Sequence, residues 1–179
     1  MLFRSLGGNP AVGKSGFYNL IDELVDAFDS LPLQPIQRKP RIGLVGEILV
    51  KFHPDANNHV VGVIEAEGCE AVLPGLLDFF LYCAYNASWK HRNLGTSGKA
   101  AVIAQLAVRS IEAYRAYMIR RLKACRDKFP VPAGISHLGE LASHILSLGN
   151  DSGEGWFLTA EMIELIESGV ANIICVQPF

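Results

Sequence analysis

The segment from Arg41 to Gly75 constrains the fold more than any other stretch of the chain. RIGLVGEILV begins as a short apolar run rich in branched residues and breaks at Gly46, the pattern of a buried strand running into a loop. Asn57 and Asn58 are N-cap candidates for a short helix, HVVGVIEAEG, which closes on Gly68 as a C′ residue. CEAVLPG then returns as a second strand, ended by Pro74. Strand, short helix and strand within about 33 residues is a βαβ unit, so the sheet is expected to be parallel.

Around this unit the chain reads as mostly helical. Leu20, Ile21, Leu24, Val25 and Phe28 keep helical spacing before Pro32, and LPLQPIQRKP has too many prolines for a helix, so it reads as an extended connector. LLDFFLYCAY opens a helix at Leu76, a long helical stretch runs from about Lys99 to Phe129, and another spans about Ser136 to Leu148. TAEMIELIES follows, with Gly169 as its C′ residue, and NIICV is the third strand. The expected architecture is an α/β, Rossmann-like lobe with a short parallel sheet and a large helical share, in the order α-β-α-β-α-α-α-α-β. Residues 1–38 form the helix and proline-rich connector, and 39–179 the lobe.

With 179 residues, half of them hydrophobic, the chain can bury a core of one domain. A net charge of −2 offers no general attraction for nucleic acid, and no run reaches the roughly 18 apolar residues of a membrane helix. A cytoplasmic protein with neither nucleic acid nor membrane as partner is expected. The four cysteines, Cys69, Cys83, Cys125 and Cys175, contain no C-x-x-C pair, and the five histidines show no H-x-x-x-H pair. Ordinary reduced cysteines and no self-contained zinc site follow. Arg109, Arg115, Arg120, Arg121, Lys123, Arg126 and Lys128 make the long helix locally basic, either as a solvated face or as a patch for a phosphate-rich cofactor or acidic partner.

Two groups of residues carry candidate chemistry. Gly8, Gly13, Lys14 and Ser15 in GGNPAVGKSG fit G-x-x-x-x-G-K-[ST], whose amides, lysine and hydroxyl bind nucleotide phosphates and Mg²⁺. The segment before them, MLFRSL, is a poor buried strand, and no expected strand ends on an Asp that would face the metal, so a glycine-rich helix entrance competes with the nucleotide reading. The second group lies at the carboxyl ends of the expected strands, where loop amides and helix N-termini gather: Gly46-Glu47, Pro74-Gly75 and Gln177-Pro178. A carboxylate leaving a buried strand, as Glu47 does, must be solvated, paired or used. Glu154 and Trp156, flanked by glycines in GEGW, set a polar group beside an aromatic surface in a loop that allows close backbone approach, which suits small-molecule binding, while packing of Trp156 on the core is an equal alternative.

Four stretches carry a family resemblance: KPRIGLVGEI at 39–48, NNHVVGVIEAEG at 57–68, DFFLY at 78–82 and GEGWFLTAEMIELIESGVANIICVQPF at 153–179. Across most of Lys39 to Phe179 the chain resembles the dehydratase-like region of acyl-CoA dehydratase activase-related proteins, relatives of the 2-hydroxyacyl-CoA dehydratase subunits. That resemblance implies a lobe of a component holding a [4Fe–4S] cluster through cysteine thiolates, reduced by an ATP-driven activator and acting on a CoA thioester. It also implies that QPF is followed by a Cys-Leu-Pro-Asn-His segment that supplies cluster ligands, so that these residues are an internal piece of a longer polypeptide with an incomplete cluster site. An activator-type ATPase domain and other parts of that polypeptide would be its partners. Cys175 would stand beside the cluster as a strand residue rather than a ligand, and Glu47, Asn57, Glu154, Trp156 and Gln177 would line the cleft. The rival expectations are a nucleotide-binding domain using Gly8 to Ser15 and a non-catalytic lobe that docks an activator through the basic helix.

Overall fold

The computed structural model of the chain describes residues 14–125 and 128–178. Ten elements follow in order: α1 (Lys14–Asp29), β1 (Arg41–Gly46), α2 (Ile48–Phe52), α3 (Val60–Ala66), β2 (Glu70–Val72), α4 (Leu76–Leu94), α5 (Gly98–Lys123), α6 (Ile135–Ser143), α7 (Gly155–Glu167) and β3 (Asn172–Val176). The three strands form one parallel sheet in the order β2-β1-β3. The mixed α/β class, the parallel sheet and the helical excess match the sequence reading. The order differs by one element, since the five-residue helix α2 fills what reads in the sequence as a loop after Gly46.

Two copies of one local device deliver the outer strands. Helix α3 ends on Gly68 (φ +81°), where the Gly68 N–H donates to Glu65 O and the Cys69 N–H to Ile64 O. Helix α7 ends on Gly169 (φ +83°) with the same two bonds, Gly169 to Ile166 O and Val170 to Leu165 O. Both are Schellman turns, in which a left-handed glycine satisfies the last helical carbonyls and turns the chain directly into a strand. β2 and β3 thereby enter the sheet in the same direction on either side of β1, whose last four residues are buried.

Contacts divide the chain into two compact units, Met1–Pro35 with Ile111–Pro132, and Ile36–Ser110 with Ala133–Phe179. The sheet lies in the second. There Val45, Leu165 and Val170 form a buried cluster that Val72, Leu158, Met162 and Ile173 pack against, while Trp156, Phe157, Leu81 and Leu138 are also fully buried. Trp156 touches the rings of Tyr82, Tyr85 and Phe157, and its indole N–H donates to the buried Asn86 Oδ1 at 2.8 Å. Trp156→Phe removes that donor and leaves a buried acceptor unpaired, so we expect a loss of about 1–3 kcal/mol, readable as a lower urea midpoint with unchanged slope.

In the first unit, the carboxylates of α1 face the carboxyl-terminal part of α5. Tyr117 donates to both oxygens of Asp22 (2.8 and 2.7 Å), and Arg121 pairs with Asp22 (2.7 Å) and Asp26 (2.6 Å). α5 ends at Lys123, six residues before the Phe129 end expected from Pro130, and past it Lys128 Nζ donates to the carbonyls of Asp29, the last residue of α1, and of Leu31 just beyond. Likewise α6 stops at Ser143, short of Leu148, with the Leu146 N–H still bonded to Ala142 O.

Candidate functional site

The carboxyl edge of the sheet is built by the close approach of β1 and β3. Gly46 has φ +143°, and a Cβ there would stand 1.9 Å from Val176 O, so only glycine fits between the strands. The next amide, of Glu47, donates to that same carbonyl at 3.0 Å, which places Glu47 beside Gln177 where both strands end. Glu47 is the N-cap of α2, and its Oε2 accepts from the Val50 N–H at 2.9 Å. This resolves the strand-end carboxylate: it is paired with an orphan helix amide, that of Val50.

A second carboxylate reaches the same helix start from 106 positions away in sequence. Glu154 Oε1 accepts from the Ile48 N–H at 3.3 Å, while its Oε2 is buried with no hydrogen-bond partner. Three consecutive left-handed residues, Gly153 (φ +58°), Glu154 (+63°) and Gly155 (+30°), bend the loop to aim it there. Gly155 is required sterically, since a Cβ would lie 1.8 Å from Asn150 O. Residues spaced along one face of α4 brace this loop: Tyr82 donates to Asp151 O, Asn86 accepts from Trp156, and Lys90 pairs with Asp151 at 2.6 Å.

Electrostatics at this edge favour protons. Burial, reinforced by the nearby charge of Glu47, raises the Glu154 carboxyl above its ordinary range, against the lowering effects of the Ile48 N–H and Lys51. Burial first and then the charge of Glu154 raise the Cys83 thiol, and burial with the charge of Glu161 raises the Cys175 thiol. Glu154→Gln keeps an acceptor for Ile48 and removes the buried charge. A raised folded pKa adds stability at acid pH that is lost as pH rises, so the variant should out-melt the parent near neutrality and lose the advantage in acid, as melting curves across pH would record.

Sequence reasoning missed the ion pair beneath this edge. Lys51 Nζ, on α2, donates to Glu161 Oε1 at 2.8 Å and Oε2 at 3.1 Å, on α7, with both side chains almost wholly buried. Burial pushes the Glu161 carboxyl up to about 7, even with Lys51 pulling it down, and the buried Asp78 adds to the rise. A signal was present: Glu161 falls midway between the buried Phe157 and Leu165 at four-residue spacing, a charge inside an apolar stripe. Lys51 carried none, standing in a five-residue helix with no readable period.

The remaining expected site residues separate. Asn57 Nδ2 donates to Val50 O (2.8 Å) and Lys51 O (3.3 Å), and its Oδ1 accepts from the Val60 N–H (3.2 Å). It joins α2 to α3 and caps α3 from two residues before the cap position, which His59 occupies. Trp156 is fully buried in the core, with its indole nitrogen satisfied, and presents no surface to a cleft. Gln177 Oε1 is buried without a partner. Lys14 and Ser15 are the first residues of α1, and Gly8 and Gly13 lie outside the described residues. The basic helix has Arg121 engaged by Asp22 and Asp26, and Arg120 over the Tyr117 ring at 5.5 Å.

Cys175 is an exposed thiol at the end of β3, and among the described residues no group of three or more His, Cys, Asp or Glu side chains is arranged to hold a metal. A single thiol does not make up the set of cysteine thiolates that holds a [4Fe–4S] cluster. No helix among the described residues is long and apolar enough to cross a membrane. No protein-family model, curated protein or solved structure matches the chain.

Proposed function

We propose that this chain is the Rossmann-like lobe of a 2-hydroxyacyl-CoA dehydratase-like, activase-related component, and that the carboxyl edge of β1 and β3 is its working face. The observation that carries the reading is the convergence of Glu47 and Glu154 on the start of α2, with one Glu154 oxygen buried and unpartnered. Dehydration requires a proton for the departing hydroxyl, and burial that raises the Glu154 carboxyl above its ordinary range suits it to hold one. Glu154 is the proton-holding group in this reading, and Glu47 keeps α2 in register beside it. A [4Fe–4S] cluster, if the parent polypeptide has one, takes its thiolates from cysteines outside this chain, with Cys175 alongside.

The test is anaerobic reconstitution with iron and sulfide of the polypeptide carried past Phe179 into a Cys-Leu-Pro-Asn-His segment. The reading expects iron–sulfur absorbance that survives Cys175→Ser. A reading frame that does not continue into such a segment, or a polypeptide that takes up no cluster, overturns it.

A further inference from the structure

A cavity of about 270 Å³ opens between the end of α2, the α2–α3 loop, α3 and Leu73 just past β2. Phe52, Pro54, Val61 and Leu73 contribute apolar walls, and Lys51 is the charged residue that lines it. That volume is near the ~300 Å³ lower end of ligand clefts.

Three features set this cavity apart from a packing gap. Gly62 lies inside α3, where glycine weakens a helix relative to alanine, yet a Cβ there would meet nothing within 4 Å. Packing therefore does not require the glycine; what its missing side chain preserves is open space along the cavity wall. Asn58 and His59 at the rim both hold left-handed backbone, φ +56° and +54°, a conformation unfavourable for side-chain-bearing residues. The Lys51 ammonium has three N–H donors, and the carboxylate of Glu161 engages it through two oxygens, leaving donor capacity within a pair whose charge is already offset.

We infer that this cavity binds a small neutral molecule with an apolar body and a single hydrogen-bond acceptor, which takes the remaining donor of Lys51. Glu161 already offsets the charge of Lys51, and a carboxylate would stand as a second negative group beside it, so the neutral class is the one the cavity accepts. The inference goes beyond the dehydratase-like reading and stands or falls independently of it.

The experiment is an amide NMR titration of the ¹⁵N-labelled chain with cyclohexanone, at a pH of about 8 where Glu161 is ionised. Saturable shifts are expected at Val61, Gly62 and Leu73. Gly62→Leu fills the space and should weaken binding roughly tenfold or more without lowering the melting temperature, and Gly62→Ala should weaken it about twofold. Cyclohexanecarboxylate should bind several times more weakly than cyclohexanone. Shifts centred elsewhere, absence of saturation, unchanged binding by Gly62→Leu, or a preference for the carboxylate would each overturn the inference.

Discussion

Replacing Lys51 by Met is expected to destabilise the protein by about 3–5 kcal/mol, the usual cost of leaving one member of a buried ion pair uncompensated. Glu161 would then lose the ammonium that holds its carboxyl down and be left beside the buried Asp78. The double variant Lys51→Met, Glu161→Leu removes both charges and should recover most of the loss, because a hydrophobic pair of similar volume often replaces a buried salt bridge at little cost. The pH dependence has a definite sign. Glu161 titrates at about 7 in the folded chain against an ordinary value of 4.5, so its contribution to stability is complete below 4.5 and is lost as pH rises through about 7. Lys51→Met should move that loss to higher pH, and the double variant should abolish it. Denaturant unfolding of the three proteins from acid to alkaline pH reads all of this.

Gly46→Ala is expected to be as damaging. A Cβ at 1.9 Å from Val176 O cannot be accommodated by a rotamer change, because the obstacle is backbone of the neighbouring strand. The left-handed φ of +143° adds strain that alanine cannot relieve. Either β1 and β3 separate at their last pair, Gly46 opposite Val176, or the Glu47 amide loses its bond to that carbonyl. We expect a loss of about 3–5 kcal/mol, or failure to fold, with amide exchange accelerated first in 173–177. Gly62→Ala is the control: at an open helical position it should be neutral or stabilising by about 0.5–1 kcal/mol.

The sheet was legible because its signals are local. Gly68 and Gly169 mark two helix ends by the same backbone need, and each is followed within three residues by a strand. Parallel pairing followed from the shortness of the β1–α3–β2 segment. What escaped the sequence depends on distance along the chain. Lys51 and Glu161 are 110 positions apart, and Glu154 reaches the Ile48 amide across 106, so neither pairing can be read from a period, even though Glu161 itself stands out as a charge in the apolar stripe of α7. For Trp156 the sequence left a binding surface and core packing equally open, and what decides for the core is again distant, the buried Asn86 on α4 that accepts from its indole. Helix ends also moved where tertiary contacts outweighed proline signals, as when Lys128 folds back onto the end of α1. Strand-end logic located Glu47 just past the carboxyl end of β1, but what holds it there, its cap on α2, required the short helix to be seen.

Burial raises two carboxyls above the ordinary glutamate range, Glu154 at the sheet edge and Glu161 beneath it. Carbon-13 NMR of glutamate side-chain carboxyls, followed against pH and assigned with Glu154→Gln and Glu161→Gln, tests it most directly. The account predicts one resonance with a midpoint near 7 that vanishes in Glu161→Gln, and a second, raised above the ordinary glutamate range, that vanishes in Glu154→Gln. Ordinary acid titration of every glutamate would contradict it.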